Sequence, residues 1–370
     1  MRKRMSHFLF LITFLLFSLS VMGWVGESLA CTGIMLRNMD GSFVHGRTLE
    51  FGARVDSGLV VVPRGYEFTG KTPSGAGMKY KSKNACLGTY TFTDLVINDG
   101  INEKGLSVGA FYFPTYAGYS EINDENRSRA LSPMDFPNWI LTQFDTVEQV
   151  REAIKGGAAV IAPTLLDGWG PAPPPLHYIV YDRSGASLVI EPRDGKPKIF
   201  ENPLGVLANS PDFEWHITNL RNYMSLSPEN VPELDLLGLK LWQFGQGNGM
   251  TGLPGDFTPP SRFVRAAFFT AYAIPAPDPT LGIQQVFHIL NNFDIPVGIA
   301  REKQGDVIFS DSTQATVARD PVNLLYYYRT FDDQTIRMAD LKKFDPEAKV
   351  LKKLSTTGAQ PVVDMSSEFK

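Results

Sequence analysis

Cysteine and histidine are scarce in this sequence: two cysteines, Cys31 and Cys86, and five histidines occur among 370 residues. So few cysteines exclude a disulfide-stapled scaffold. His45, His177, His216 and His288, the histidines beyond the leader, show no ligand-like spacing. No metal centre is therefore expected, and no other cofactor is called for. Charge of one sign is lacking as well, with a formal net charge of −4. Residues 1–30 hold Arg2, Lys3, Arg4 and Glu27, so the remainder stands at −6. A mildly acidic surface argues against nucleic acid as the main partner. Past Val25 no stretch is apolar enough to span a membrane. There is also no internal repeat and no clean boundary, so residues 31–370 read as a single domain.

What is present begins with a leader. Met1-Arg2-Lys3-Arg4 is a basic start, Phe8 to Val25 is an apolar run, and Ser28 and Ala30 are small residues at −3 and −1 of a cut before Cys31. Residues 1–30 therefore read as a cleavable signal peptide, and the product as periplasmic or secreted. A cut after Ala30 places a thiol and a free α-amino group on the same residue. Three other readings of this region stay open. A lipoprotein signal also ends in Cys, although Leu29 stands one step late for it. A retained anchor is possible on length, since a span needs about 20 apolar residues. A Cys31–Cys86 disulfide is the usual use of an even pair in an exported chain.

Residues 31–113 read mostly as strand. A hairpin turns on Asn38-Met39-Asp40-Gly41. Strands are expected at 59–62, 87–92, 94–97 and 106–113, with a polar turn over Asn98–Gly105. Helical patterns follow at 136–144 and 146–154, the second with Asp145 as cap and Glu148 three residues on. The Pro/Gly stretch at 167–175 reads as a loop. Strands return at 176–182 and 186–191, then helices at 212–224, 262–272 (capped by Ser261) and 281–292. Strands at 315–318, 323–329 and 335–339 close the pattern. Residues 225–258 are Gly- and Pro-punctuated and read as an excursion from the core or an oligomer arm. Antiparallel sheets covered by helices, an α+β class, are the architecture this order implies.

An N-terminal Cys needs little else to attack an amide. A free α-amino group titrates near 7.7–8.0 and can take the thiol proton at neutral pH. The further needs are a cation to favour thiolate, an acceptor for the ammonium and donors for an oxyanion. Composition alone does not choose them among 35 basic and 39 acidic residues.

Several short motifs, in order along the chain, carry a resemblance that does. They are Cys31-Thr-Gly, Gly46-Arg-Thr-Leu-Glu, Asp99-Gly-Ile-Asn-Glu-Lys-Gly-Leu, Phe111-Tyr-Phe-Pro, Pro175-Leu-His-Tyr, Ala208-Asn-Ser-Pro-Asp-Phe, Leu253-Pro-Gly-Asp, Ser261-Arg-Phe-Val-Arg and Arg337-Met-Ala-Asp-Leu. Together they resemble the choloylglycine hydrolase family, the N-terminal-nucleophile enzymes that include penicillin V acylases and conjugated bile salt hydrolases. The resemblance implies a four-layer αββα sandwich, with two antiparallel sheets between helix layers, and acyl transfer from a linear amide. It implies no cofactor, and a homotetramer.

By position, the resemblance assigns Cys31 as nucleophile and Arg47 as the arginine beside it. Glu50 stands where the family usually has Asp bonded to the terminal amine. Asn209 matches an asparagine whose amide donates to the oxyanion. Tyr112 matches the residue whose backbone N–H completes that hole, and Arg262 a helix-start arginine near the nucleophile. Tyr at position 112 tilts the expectation toward penicillin V acylase rather than bile salt hydrolase. Acylases of N-acyl homoserine lactones are a further alternative, and a non-catalytic protein lipid-anchored at Cys31 is one of another class. The expected substrate is a small amide with an apolar acyl group, as the aromatics Phe51, Phe111, Phe113, Trp139 and Trp169 suggest.

Overall fold

A computed structural model of the chain describes residues 30–54, 57–91, 96–167 and 169–369. All of the expected leader but Ala30 thus lies outside the described residues, as does the first half, 94–95, of the strand expected at 94–97. The chain opens with an antiparallel hairpin, β1 (Cys31–Arg37) and β2 (Phe43–Phe51). Next come β3 (Ser57–Val62), β4 (Glu67–Thr72), β5 (Gly75–Lys81), β6 (Cys86–Thr91), β7 (Ile97–Asn102), β8 (Ser107–Tyr112) and the short β9 (Ala130–Leu131). Helices α1 (Phe136–Gln143) and α2 (Val147–Lys155) precede β10 (Val160–Ile161), β11 (Leu176–Tyr181), β12 (Ser187–Arg193) and β13 (Lys196–Glu201). Helix α3 (Phe213–Asn219), a small hairpin of β14 (Leu234–Leu236) and β15 (Leu239–Leu241), then α4 (Pro259–Tyr272) and α5 (Pro279–Leu290) follow. The end is strand: β16 (Ala300–Gln304), β17 (Val307–Asp320), β18 (Leu325–Thr330), β19 (Arg337–Asp340) and β20 (Lys352–Ser355).

Two large sheets organise these elements. One has the order β1-β2-β17-β18-β19, with β16 on β17; the other runs β13-β12-β11-β8-β7-β6-β3-β20. All their pairings are antiparallel. The period-2 pattern of the strands sorts their side chains into layers. Val60, Val62, Val108, Tyr178 and Val180 pack with Phe136, Ile140 and Val150 of α1 and α2. Leu59, Val61, Leu87 and Ile101 face Val317, Tyr326 and Tyr328 of the other sheet. On the far side, Ile34, Leu36 and Val44 pack with Phe263 of α4 and with Val286 and Leu290 of α5. The result is helices, sheet, sheet, helices: the αββα order that the family resemblance implies.

Several local expectations are corrected. Residues 98–102 are strand rather than turn, because Asn98, Asp99 and Asn102 are all buried with partners inside the sandwich. The turn contracts to Glu103–Gly105, where Asn102 Oδ1 accepts from the N–H groups of Lys104 and Leu106. Helix α2 is capped by Thr146, whose Oγ1 accepts from Gln149 N, not by Asp145. Helix α4 starts earlier, at Pro259, so Ser261 lies within it and donates to Asp256 instead of capping. Pro is well suited to a first helical turn, where its missing N–H costs nothing.

Candidate active site

Cys31 is the first residue of β1, directly opposite Leu49 of β2. β2 bends with the sheet and carries Arg47 and Glu50 past the thiol, and all three side chains are buried. Arg47 Nη2 lies 2.8 Å from Cys31 Sγ. Its other donors go to backbone carbonyls, with Nη1 on Ala110 O at 2.6 Å and Asn98 O at 3.3 Å, and its guanidinium stacks over Phe111 at 4.2 Å. A planar fork fixed on several sides cannot swing away from the sulfur. Gly33, two residues after the nucleophile, is what lets Phe111 close in: a Cβ there would stand 2.8 Å from Phe111 Cζ. The Cys31-Thr32-Gly33 motif thus has a use for each member, since Thr32 Oγ1 accepts from Arg262 Nη1 at 2.9 Å.

Arg262, at the start of α4, ties the site together. Its Nη1 also donates to Cys31 O at 2.5 Å, its Nη2 to Asn209 Oδ1 at 2.7 Å, and its Nε to Phe257 O at 2.9 Å. Asn209 Oδ1 also accepts from the Cys31 nitrogen at 2.7 Å, and Asn209 Nδ2 donates to Tyr112 O at 2.8 Å. The Phe113 N–H donates to Pro175 O, which makes Tyr112 and Leu176 a non-hydrogen-bonded pair across β8 and β11. The backbone groups of Tyr112 consequently face away from β11, with the carbonyl toward Asn209.

Two placements differ from the roles the motifs imply. With Ala30 attached, the Cys31 nitrogen is a peptide N–H with a single hydrogen, and Asn209 takes it rather than Glu50. Glu50 instead accepts from Thr313 Oγ1 at 3.1 Å, while its own N–H donates to Ala30 O. Asn209 turns its oxygen, not its amide, to the nucleophile residue, although Nδ2 carries a second hydrogen besides the one on Tyr112.

The electrostatics follow from burial. Burial pushes the Cys31 thiol up, against Arg47 and Arg262, which pull it down, and Glu50 adds to the rise. Burial raises the Glu50 carboxyl to about 7 despite Arg262, Thr48, Arg47 and Thr313. Burial lowers Arg262. Burial also acts to lower Arg47, but the charges of Cys31, Asp99 and Glu50 outweigh it and leave this guanidinium raised.

Beside the thiol opens a small pocket, with about 60 Å³ of space for a water-sized molecule, walled by Leu49, Phe51, Ala110, Tyr112, Met134, Trp169 and Leu176, with Cys31, Arg47 and Glu50 at its polar end. Phe51 and Tyr112 both meet the Trp169 ring, at 5.8 and 6.0 Å. Trp139, expected near the site, is instead a core residue of α1 packed on Phe136 and Phe144. Phe113 stacks on His177 behind the site. Cys86 is free, as is Cys31, and belongs to the layer under α1 and α2, where burial pushes its thiol up to about 12. The disulfide reading is therefore not realised. Among the described residues no cluster suited to a metal ion occurs.

Asp99 is a site residue whose role no pattern in the sequence pointed to. Its carboxylate accepts from Arg319 Nη1 at 2.8 Å and from the Tyr326 hydroxyl at 2.9 Å. Gly109 leaves room for it beside Arg47: a Cβ there would lie 3.3 Å from Asp99 Oδ2 and 3.6 Å from Arg47 Nη1. One buried carboxylate thus serves two buried guanidinium groups from the centre of the sandwich.

Comparison with known proteins agrees with this geometry. A family model, linear amide C–N hydrolases of the choloylglycine hydrolase family, matches residues 31–350. The bile salt hydrolase/transferase of Clostridium perfringens is 34% identical over 324 residues, 87% of this chain and 95% of that protein. The protein of the same description from Bifidobacterium longum subsp. longum is 32% identical over 87% of this chain and 98% of its own. Among solved structures, a variant of conjugated bile acid hydrolase from Clostridium perfringens superposes with a TM-score of 0.80 at 32% identity, covering 91% of this chain and 100% of that one. Penicillin V acylase from Agrobacterium tumefaciens gives 0.71 at 25% identity, covering 88% and 91%.

Proposed function

The chain belongs to the choloylglycine hydrolase family, hydrolases of the C–N bond of linear amides, and from that premise we propose an exported acylase that works through a Cys31 thioester. Its sandwich is the N-terminal-nucleophile hydrolase fold. The observation that carries the proposal is Arg47 Nη2 held 2.8 Å from Cys31 Sγ at the polar end of an apolar pocket. Support for the maturation step is the family match beginning at Cys31. Cleavage of the Ala30–Cys31 bond converts a peptide N–H into an amine, which is the base the site otherwise lacks.

The steps then balance. The α-amino group takes the thiol proton and Sγ bonds to the amide carbonyl carbon. Negative charge on the carbonyl oxygen is met by the Tyr112 N–H and the second Nδ2 hydrogen of Asn209. The C–N bond breaks as the ammonium returns its proton to the leaving nitrogen, so an amine departs and a thioester remains. Water, deprotonated by the same amine, attacks the thioester carbon. The S–C bond breaks, the acid leaves and the thiol is restored. Arg47 favours the thiolate throughout, while Arg262 fixes the Cys31 carbonyl and Asn209.

For the substrate, the aromatic corner of Phe51, Tyr112 and Trp169 favours a flat apolar acyl group, as in penicillin V. A conjugated bile salt is the second reading, favoured by the 34% identity to the Clostridium perfringens bile salt hydrolase/transferase. Penicillin V, glycocholate and long-chain acyl homoserine lactones assayed side by side decide it: the penicillin V reading expects the highest kcat/KM on the first, and a higher value on glycocholate reverses the order. Cys31→Ser should abolish hydrolysis of each with the fold intact by circular dichroism. Retained activity would remove Cys31 from the mechanism. Intact mass should show a free Cys31 at the N-terminus of a periplasmic or secreted product; diacylglycerol there would indicate a lipid-anchored protein instead. The exposed β14–β15 hairpin further supports assembly as a homotetramer.

A further inference from the structure

Asn209 holds a position no regular element supplies. It lies in the connection from β13 to α3, where Leu207 makes a two-bond bridge with Gly33 of β1 and then leaves it. Beyond that bridge two buried histidines take over. His177 Nε2, from β11, lies 3.0 Å from Ala208 O, and His216 Nε2, from α3, lies 2.9 Å from Asn209 O. Consecutive carbonyls of an irregular segment are thus held from two separate elements.

Both rings are fixed in turn. His177 stacks on Phe113 at 4.3 Å with planes 7° apart, and His216 stacks on Phe263 at 4.5 Å and 14°. Phe113 follows Tyr112, and Phe263 follows Arg262. The two histidines therefore key the Asn209 peptide to the neighbours of both other groups that Asn209 touches, Tyr112 O and Arg262 Nη2. A carbonyl accepts only, so each Nε2 must carry hydrogen. Burial holds His216 down to about 4, so at neutral pH it is the neutral Nε2–H tautomer, a donor without charge.

We propose that His216 and His177 are positioning residues for catalysis, clamping the Ala208–Asn209 backbone so that the Asn209 side chain stays aligned between Cys31, Tyr112 and Arg262. The inference rests on the amidase reading above, in which Asn209 works at the nucleophile. Neither histidine touches the pocket, so a loss of the clamp acts on turnover and not on substrate contacts. Misplacement by about 1 Å can cost on the order of a hundredfold in rate.

The test compares His216→Gln, whose amide nitrogen can reach the place of Nε2, with His216→Asn, which is too short, and His216→Phe, which keeps only the ring. Steady-state kinetics on the best amide of the panel should give kcat within about threefold of the parent for Gln, and at least about tenfold lower for Asn and Phe, with KM within about twofold in all. Rescue by Gln with loss in Asn separates positioning from mere bulk, and this pair suffices should the Phe variant not fold. Alkylation of Cys31 by iodoacetamide should proceed at the parental rate in every variant, because Arg47 is untouched. Equal kcat in Gln and Asn variants, or a loss confined to KM, overturns the proposal. A parent chain inactive on every amide would instead overturn the functional reading and leave the alkylation rates as the readout of an intact thiol site.

Discussion

Glu50 shows how burial sets the electrostatics of a site. Its carboxyl lies among buried groups, bonded to Thr313, with a pKa raised from the ordinary 4.5 to about 7 by burial. While Ala30 is attached, the folded chain keeps the Glu50 proton to a higher pH than the unfolded chain does. The stabilising contribution is therefore fully present below about pH 4.5 and is lost as pH rises through about 7. Glu50→Gln in an uncleaved form should accordingly melt higher than the parent at pH 8, by up to about 3 kcal/mol of stability, and match it at pH 4. A parent more stable than the variant at pH 8 would show that the arginines win over burial. In the cleaved enzyme two amine hydrogens, three once the thiol proton has been taken, replace one peptide N–H, which gives Glu50 a donor to accept from. Glu50→Asp should then keep activity within about tenfold of the parent, with Glu50→Ala falling at least tenfold further. Equal loss in both would separate this side chain from the amine.

Among the elements, the hairpin β14–β15 stands apart. Leu234, Leu236, Leu237, Leu239, Leu241, Trp242 and Phe244 are all exposed on it or just after it. A two-stranded ribbon has no core of its own and is marginal in water when isolated. Apolar exposure on this scale is typical of interaction surfaces, and we propose that 225–258 serves as an assembly arm through it. Leu239→Asp together with Phe244→Asp should lower the mass measured by light scattering to that of a smaller species, with kcat on the preferred amide changed less than about twofold because neither residue lines the pocket at Cys31. An unchanged mass would leave the hairpin without this role. The strands of the large sheets behaved differently from this ribbon. β3, β8 and β11 were legible as apolar runs bounded by turn residues, because each side of those strands meets an apolar layer. β4, β5 and β13 escaped notice because their half-exposed faces carry Lys, Glu and Gly in place of a clean apolar stripe.

At the scale of the whole molecule the two sheets must stay pressed together, since the site is built across them: Cys31 and Arg47 belong to one, Tyr112 and Phe111 to the other. Ile101, fully buried between the sheets with Leu59 and Tyr326, is a suitable probe. Ile101→Ala should lower the urea-unfolding free energy by about 2–5 kcal/mol, and a change below about 1 kcal/mol would mean the interlayer relaxes freely. Much of this molecule follows from the linear chain by itself. The order of strand and helix patterns implied antiparallel sheets covered by helices, Asp-Gly set the first hairpin, and the motif from Cys31 to Gly33 singled out the nucleophile. Those are local matters, governed by a residue's own geometry and its near neighbours. What only the tertiary structure decided is which charges meet. Asn98–Asn102 reads as a polar turn until Arg319 and Tyr326, more than 200 residues away, arrive to pair with Asp99. His177 and His216 lack any ligand spacing because their partners are backbone carbonyls, which every residue carries. Buried polar groups must find partners wherever folding brings them, and no spacing along the chain records where that will be.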